Sequence, residues 1–481
     1  MALTAALLGW MFDGFEMGLF PLVSSPGLGE LLGARGESGQ IGRWFGIITA
    51  SFLIGAATGG VLFGWLGDKI GRIRALTISV LVYALCSGLC LFVSSPEELV
   101  VLRFLGALGM GGEWALGVAL IMEMWPKASR MWLAALIGAF GNLGFFAVGL
   151  LSFALNRVGG QLPESLAALG LGTGTVEMLT RNSNWRLLML LGTFPALLTL
   201  FIRLYVPESP RWAVERNLGK SANWSTPGLL VVLLGATLAG GIVFLWSSTD
   251  WPLALRLLLT LLGFAAITWC FLFPVRSFLR ASGVRPDQAR TLVLRMLLAA
   301  ALAAVPLLGT WAGVMWVYNW VDVLTGRAIP DARPVVQMAV SLGASIGGVI
   351  GAVLGWHLGR RAGYAILCLA AAVSMLAFFR LNTGYGWELV CSAGVLGCAA
   401  GAFYGWLPLY LPELFPTDMR ASGQGFGFNF GRIIAAIGTV QVGNLLAAFD
   451  NDYARACSLV AGVYIVGLGL ALLVREHKFE G

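Results

Sequence analysis

The stretch Glu123-Met-Trp-Pro126-Lys-Ala-Ser-Arg130 returns 290 residues later as Glu413-Leu-Phe-Pro416-Thr-Asp-Met-Arg420, and each copy follows a loop of glycine and basic residues. In the first half the loop is Gly64-Trp-Leu-Gly-Asp68-Lys69-Ile-Gly71-Arg72, with Asp68 55 residues before Glu123. In the second it is Gly355-Trp-His-Leu-Gly359-Arg360-Arg361, with Gly359 54 residues before Glu413 and standing, on this count, where the first copy has its aspartate. A half used twice, with short basic loops at matching places, is a common plan of membrane carriers, whose ligand site lies between the halves near the bilayer midplane.

Composition agrees. Of 481 residues, 58% are hydrophobic and only 11% charged, which excludes a chain of soluble domains. Apolar runs of about 20 residues predict spanning helices at 2–23, 44–66, 75–93, 99–122, 131–155 and 185–206, and again at 296–318, 335–356, 364–380, 388–411, 421–446 and 456–474. Two further runs, 227–246 and 253–275, flank the polar turn Ser247-Ser-Thr-Asp250. The expectation is an all-α polytopic membrane protein of fourteen spans. Residues 1–206 form one six-helix half and 296–481 the other, and 207–295 carry cytoplasmic segments with an inserted hairpin at about 227–275.

Lys and Arg mark the cytoplasmic side. Placing Lys69, Arg72 and Arg74 inside puts 18 basic residues on that side against 10 on the other, with both termini cytoplasmic. The net charge of +7 and the five arginines at 276, 280, 285, 290 and 295 then report topology, and no nucleic-acid partner is expected. No basic segment precedes the first apolar run, which argues against a cleaved leader. Seven cysteines without a Cys-x-x-Cys pair, and two histidines, predict no metal site and no cofactor. Neither a phosphate loop nor a Gly-x-Ser-x-Gly elbow is present, and the longest outer loop, about 156–184, offers only Glu164 and Glu177 among its acids. An enzyme is not expected.

An ionisable group in a span costs about 2.5–3.5 kcal/mol at the helix centre, so each one retained is a functional candidate. Asp13 and Glu16 share one face of the first helix, and at 1.5 Å per residue Asp13 lies about 15 Å along it. Glu113, in Gly111-Gly112-Glu113-Trp114, is similarly deep in the fourth helix, and Arg432, three residues after Asn429, in the eleventh helix of the two-half count. A carboxyl in a low-dielectric chamber loads a proton readily, whereas arginine stays charged and suits a carboxylate ligand. Asp13, Glu16 and Glu113 are therefore proton-coupling candidates, and Arg432 with Asn429 is the candidate carboxylate site. A permanent ion pair of one of the acids with Arg103 or Arg432 is the structural alternative. Trp10, Trp114 and Tyr404 are candidate ring surfaces for the ligand. Asp68, Arg72, Glu123, Arg130, Glu413 and Arg420 lie at the membrane face, where their pairing in one state and separation in another would gate access.

These residues resemble the major facilitator superfamily. Gly64-x-x-x-Asp68-Lys69-x-Gly71-Arg72 looks like its signature between helices two and three, and Arg103 like its second motif. Pro207-Glu-Ser-Pro-Arg211-Trp and Pro412-Glu-Leu-Phe-Pro416-Thr-x-x-Arg420 resemble loops of its sugar and organic-ion branches. The Asp13-Gly14-Phe15-Glu16 element, the Glu113 and Arg432 segments and the central insert look most like the sialate:proton symporter family, which also includes monocarboxylate carriers. The first-helix element is similar to that of aromatic acid:proton symporters, with Glu16 in place of the second aspartate. The resemblance implies a monomeric carrier of the inner or plasma membrane that imports an organic anion with protons by alternating access. Sialic acid or a related sugar acid leads, with monocarboxylates, aromatic acids and an uncoupled facilitator or exporter as alternatives.

Overall fold

The structure is a computed structural model that describes residues 2–33, 38–124, 130–194, 226–247, 251–281, 283–416 and 420–476. Among them every regular element is helical. Lipid cannot satisfy a free backbone amide, so a spanning chain of this composition closes its hydrogen bonds within helices. The first group comprises α1 (Ala2–Leu32), α2 (Ser38–Ile70), α3 (Arg72–Leu89), α4 (Pro96–Met124), α5 (Arg130–Arg157), α6 (Leu162–Ala168) and α7 (Thr173–Leu191). Then come α8 (Thr226–Ser247) and α9 (Leu253–Ala281). The last group is α10 (Pro286–Leu308), α11 (Val317–Thr325), α12 (Ala332–His357), α13 (Arg360–Leu381), α14 (Trp387–Gly401), α15 (Phe403–Tyr410), α16 (Arg420–Ala448), α17 (Tyr453–Val460) and α18 (Gly462–Ala471). Eleven helical stretches among the described residues are long and apolar enough to cross a membrane.

The two groups are built alike. In the first, α2 packs closely on α4; in the last, α12 packs in the same way on α14. Glycine makes both approaches possible, because a Cβ at Gly59 would overlap the Leu108 carbonyl and one at Gly347 would overlap the Cys398 carbonyl. The groups meet along two seams, α5 against α12 and α2 against α16. The paired helices α8 and α9 lie against α2 and α16, with Phe264 and Phe271 on the Phe430 ring.

Several boundaries differ from the sequence reading. The span expected at 296–318 begins at Pro286 and changes winding at Gly309–Gly313, a π turn, and Val314–Trp316, a 3-10 turn. Such breaks in a helical ladder commonly mark functional positions. The outer loop about 156–184 contains α6 and the first part of α7, whose Asn182, Ser183 and Asn184 adopt left-handed φ of 51°, 60° and 56°. The span expected at 185–206 is described only to residue 194, and the Pro207–Arg211 motif lies outside the described residues.

The alignment of the repeated loops also changes. Gly71 (φ 109°) immediately precedes α3, and Gly359 (φ 89°) immediately precedes α13, each followed by an arginine at the first helical position. Gly359 is thus the structural counterpart of Gly71, not of Asp68. Both sites need a left-handed φ, which glycine adopts without the Cβ penalty, and that backbone requirement outranks the residue count. Counting back three, the aspartate's place falls on Trp356, whose ring lies 5.8 Å from Arg360 Cζ.

Candidate functional site

A chamber of about 160 Å³ lies where the seams converge near mid-helix. Its walls come from α1, α2, α4 and α5 on one side and from α10, α11, α12, α14, α15 and α16 with their adjoining turns on the other. Trp10 and Asp13 line it from α1, Thr310 and Trp311 from the π turn, Tyr318 from α11, Tyr404 from α15 and Arg432 from α16. Most of the remaining lining is apolar. Asp13 is 4% exposed and Arg432 7%, and the two interact electrostatically. The expectation that an N-half carboxylate and a C-half guanidinium share one depth thus describes Asp13 and Arg432.

Glu16 sits elsewhere. One helical turn beyond Asp13, its carboxylate pairs with the Arg103 guanidinium of α4 and accepts a hydrogen bond from Ser87 Oγ at 2.7 Å. Arg103 lies over the Phe52 and Phe20 rings, 4.9 and 5.4 Å from Cζ to the centroids. Glu16 is absent from the chamber lining, and the pair corresponds to the structural alternative read for it from the sequence. Asn429 also departs from expectation. It does not line the chamber; its Oδ1 accepts from Arg432 Nη1 at 3.3 Å, and the side chain rests on Gly60 of α2. It positions Arg432 from behind. Phe428, on the chamber side, carries the guanidinium 5.0 Å above its ring. The Glu113 and Trp114 side chains lie outside the described residues.

At one end of the bundle the two groups are tied together. Arg333 on α12 donates to the Pro21 carbonyl of α1 at 2.6 Å and pairs with Asp322 at 3.3 Å. Ser24 donates to Asn319 at 3.0 Å, Gln337 donates to the Gly18 and Phe145 carbonyls, and Arg157 pairs with Asp331 at 3.1 Å. At the same end Glu30 receives hydrogen bonds from Trp185 and Asn182 at 2.8 Å and pairs with Arg181 and Arg186. Burial alone would raise its pKa, but these four donors outweigh it and hold the carboxyl at about 2.

At the other end Arg360 grips Glu413 bidentately at 2.7 and 3.0 Å. Glu476 accepts from the backbone amides of Arg360 and Arg361 at 3.0 and 2.8 Å, so the exposed N-terminus of α13 meets a carboxylate. Of the expected gating residues, Glu413 is therefore paired. The side chains of Asp68, Arg72, Glu123, Arg130 and Arg420 lie outside the described residues. Sequence reasoning missed the roles of Arg333, which it counted only as an outer-loop charge, and of Glu476, which it did not single out. Tyr318 belongs to an aromatic-rich run whose rings the sequence does not rank.

Among the described residues no cluster of His, Cys, Asp and Glu is arranged to hold a metal ion. The family profile described as "Sugar (and other) transporter" matches residues 2–226. A Haemophilus influenzae protein named only for metabolite transport is 24% identical over 485 residues, covering 99% of this chain and 96% of that one. The niacin transporter NiaP of Acinetobacter baylyi is 24% identical over 465 residues, covering 92% and 86%. The xylose transporter XylE from E. coli in a partially occluded inward-open conformation superposes with a TM-score of 0.65 at 18% identity, covering 100% of this chain and 98% of XylE. The same protein, described as a proton:xylose symporter and bound to 6-bromo-6-deoxy-D-glucose, superposes with a TM-score of 0.66 at 19% identity, covering 99% and 96%. The chain has the major facilitator fold, and its relatives and structural neighbours are membrane transporters rather than enzymes.

Proposed function

We propose that this protein is a secondary transporter of the inner or plasma membrane that imports a small organic anion together with protons by alternating access. The observation that carries the reading is the chamber itself. A mainly apolar site between two groups of helices holds, among the described residues, one carboxylate from the first, Asp13, and one guanidinium from the last, Arg432. A fixed cation on an apolar wall recruits an anion, and a carboxylate facing it gains or loses a proton as that anion arrives or leaves. The proton:xylose symporter description of XylE supports coupling to protons.

Residues 1–206 and 296–481 are the two moving halves, and both termini face the cytoplasm. The linking segment 207–295 carries the extra pair about 227–275, completing fourteen spans. The mutual packing of α8 and α9 and the hydrogen bond from Asn444 to the Trp246 carbonyl at 3.3 Å support an inserted hairpin. Asp13, Glu16 and Glu113 are the proton-coupling set, with Glu16 acting through Arg103. Arg432 binds the carboxylate, Asn429 positions it, and Trp10, Trp114 and Tyr404 supply ring surface. The ties of Arg333, Ser24, Gln337 and Arg157 close the outer side. The Arg360–Glu413 brace holds the inner loops of the second half, and Asp68, Arg72, Glu123, Arg130 and Arg420 complete that inner gate.

Sequence resemblance ranks sialic acid or another sugar acid first, then monocarboxylates and aromatic acids. The name of the Acinetobacter relative adds a pyridine carboxylate to the classes worth testing. An uncoupled facilitator is the second reading, favoured by the ion pair of Glu16 with Arg103, which leaves Glu16 out of the chamber lining. Protein in liposomes under an inward proton gradient decides between the two. Concentrative anion uptake with internal acidification, lost in Asp13→Asn, supports the symporter, whereas uptake that only equilibrates and ignores the gradient defeats it.

A further inference from the structure

We infer that the corner where α9 turns into α10 is a binding site for the headgroup of an anionic phospholipid, held by the guanidiniums of Arg276, Arg280, Arg285 and Arg290. The inference concerns the lipid-facing surface and goes beyond the transport reading, so the two stand or fall separately.

Arg276 follows Arg256 on α9 by 20 residues with no charged residue between them. At 1.5 Å per residue that is about 30 Å, the thickness of the hydrocarbon core, so the two arginines mark its opposite faces. Arg256 is held by the protein: its Nε donates to the Trp251 carbonyl at 2.8 Å and its Cζ lies 5.5 Å from the Trp246 ring centroid. Arg276 and Arg280 make no hydrogen bond, ion pair or ring contact among the described residues. Leu258, Leu262, Trp269, Arg276 and Arg280 are all exposed, and their spacing places them on one face of α9. An exposed apolar stripe on a spanning helix faces lipid, and the two arginines end that stripe at headgroup level.

The turn that follows is tight. Gly283, at φ 67°, donates to the Arg280 carbonyl at 3.2 Å and Val284 to the Leu279 carbonyl at 3.2 Å, which closes α9 and starts α10 at Pro286. Arg285 caps α10 and Arg290 lies one turn in, with Leu294 exposed four residues further. Measured along the helix axes, all four arginines thus stand within about 8 Å of the turn. Arg285 and Arg290 are exposed and likewise without partners among the described residues. The fifth arginine of the run, Arg295, is half-buried and donates to the Leu414 carbonyl at 3.1 Å.

Asp287 is the only acid between residues 251 and 308, so the corner carries positive charge that nothing nearby offsets. Orientation in the membrane accounts for the side on which these arginines lie. It leaves Arg276 and Arg280 repelling each other at i, i+4, and four forks of N–H donors in want of acceptors. A phosphodiester supplies acceptors that match the fork. Free phosphate would meet the charge alone, whereas a lipid also lays its acyl chains along the apolar stripe.

The test adds phosphatidylglycerol, phosphatidylcholine or inorganic phosphate to purified full-length protein in detergent, and reads retained lipid by native mass spectrometry and stability by melting temperature. Phosphatidylglycerol should be retained and should raise the melting temperature; the other two should do neither. Arg276→Gln combined with Arg280→Gln should weaken its retention roughly 30-fold, the worth of two arginines at a charged membrane surface. Since neither side chain has a protein partner, the lipid-free melting temperature should match wild type. Arg327→Gln combined with Arg455→Gln removes the same charge from exposed positions elsewhere and should retain the lipid as wild type does. Equal retention of both lipids by wild type, or equal losses in the two double variants, overturns the site. Equal stabilisation by inorganic phosphate overturns the lipid as its occupant. None of these readouts involves uptake, so either failure leaves the chamber reading untouched.

Discussion

Glu16 on α1 and Arg103 on α4 form a buried ion pair beside the chamber, 2% and 4% exposed, while Asp13 one turn earlier faces into it. Two acids read from sequence as equivalent thus have different surroundings. Removing one member of a buried pair strands the other charge and costs about 3–5 kcal/mol. Glu16→Ala and Arg103→Ala are each expected to lower the melting temperature in detergent markedly, and the double variant to lose less than the sum of the two. Additive losses would show that the pair is not coupled.

Arg432 is expected to tolerate no replacement. Arg432→Gln should abolish anion uptake, and Arg432→Lys, which keeps charge but loses the planar fork, should weaken it by roughly 10–100-fold, the worth of a charged hydrogen bond of about 1.5–3 kcal/mol. Asn429→Ala should raise KM by a smaller factor, because Asn429 holds the guanidinium without lining the chamber. Uptake kinetics in proteoliposomes read both.

Gly359→Ala should destabilise the second half's inner loop. The site combines a φ of 89° with a Cβ position only 2.8 Å from a Glu476 carboxylate oxygen, so the substitution strains the backbone by about 1–2 kcal/mol and displaces the carboxylate that meets α13. Thermal unfolding in detergent measures the loss. Glu476→Gln, which keeps the space but removes the charge that meets α13, should lie between wild type and Gly359→Ala.

The Glu30 cluster predicts an acid dependence of defined sign. Its folded pKa of about 2 lies below the ordinary 4.5, so the stability it contributes is fully present above about pH 4.5 and is lost as pH falls toward 2. The melting temperature of Glu30→Gln should therefore lie below wild type at pH 6 and converge with it on acidification through that window. A constant gap across the window would assign the effect to packing instead.

Helical class, repeat and approximate spans were legible because apolar run length and basic loops are local properties of the chain. Asp13 and Arg432 were legible because a charge in a span is costly enough to stand out alone. Glu16 stood out for the same reason and Arg103 was among its candidate partners, yet which acid Arg103 takes was not legible, since the two lie 87 residues apart and nothing local orients them toward each other. The loop alignment failed at Gly359 because residue counting does not see backbone angle.

By itself the sequence determined that this chain spans a membrane in two related sets of helices with few buried charges, since each of those properties is fixed residue by residue by transfer cost and periodicity. Only the tertiary structure decided which charges face the chamber and which face each other. Those outcomes depend on the angle at which one helix presents its side chains to another, and that angle is set by close packing at glycines such as Gly59 and Gly347 far along the chain from the groups they bring together.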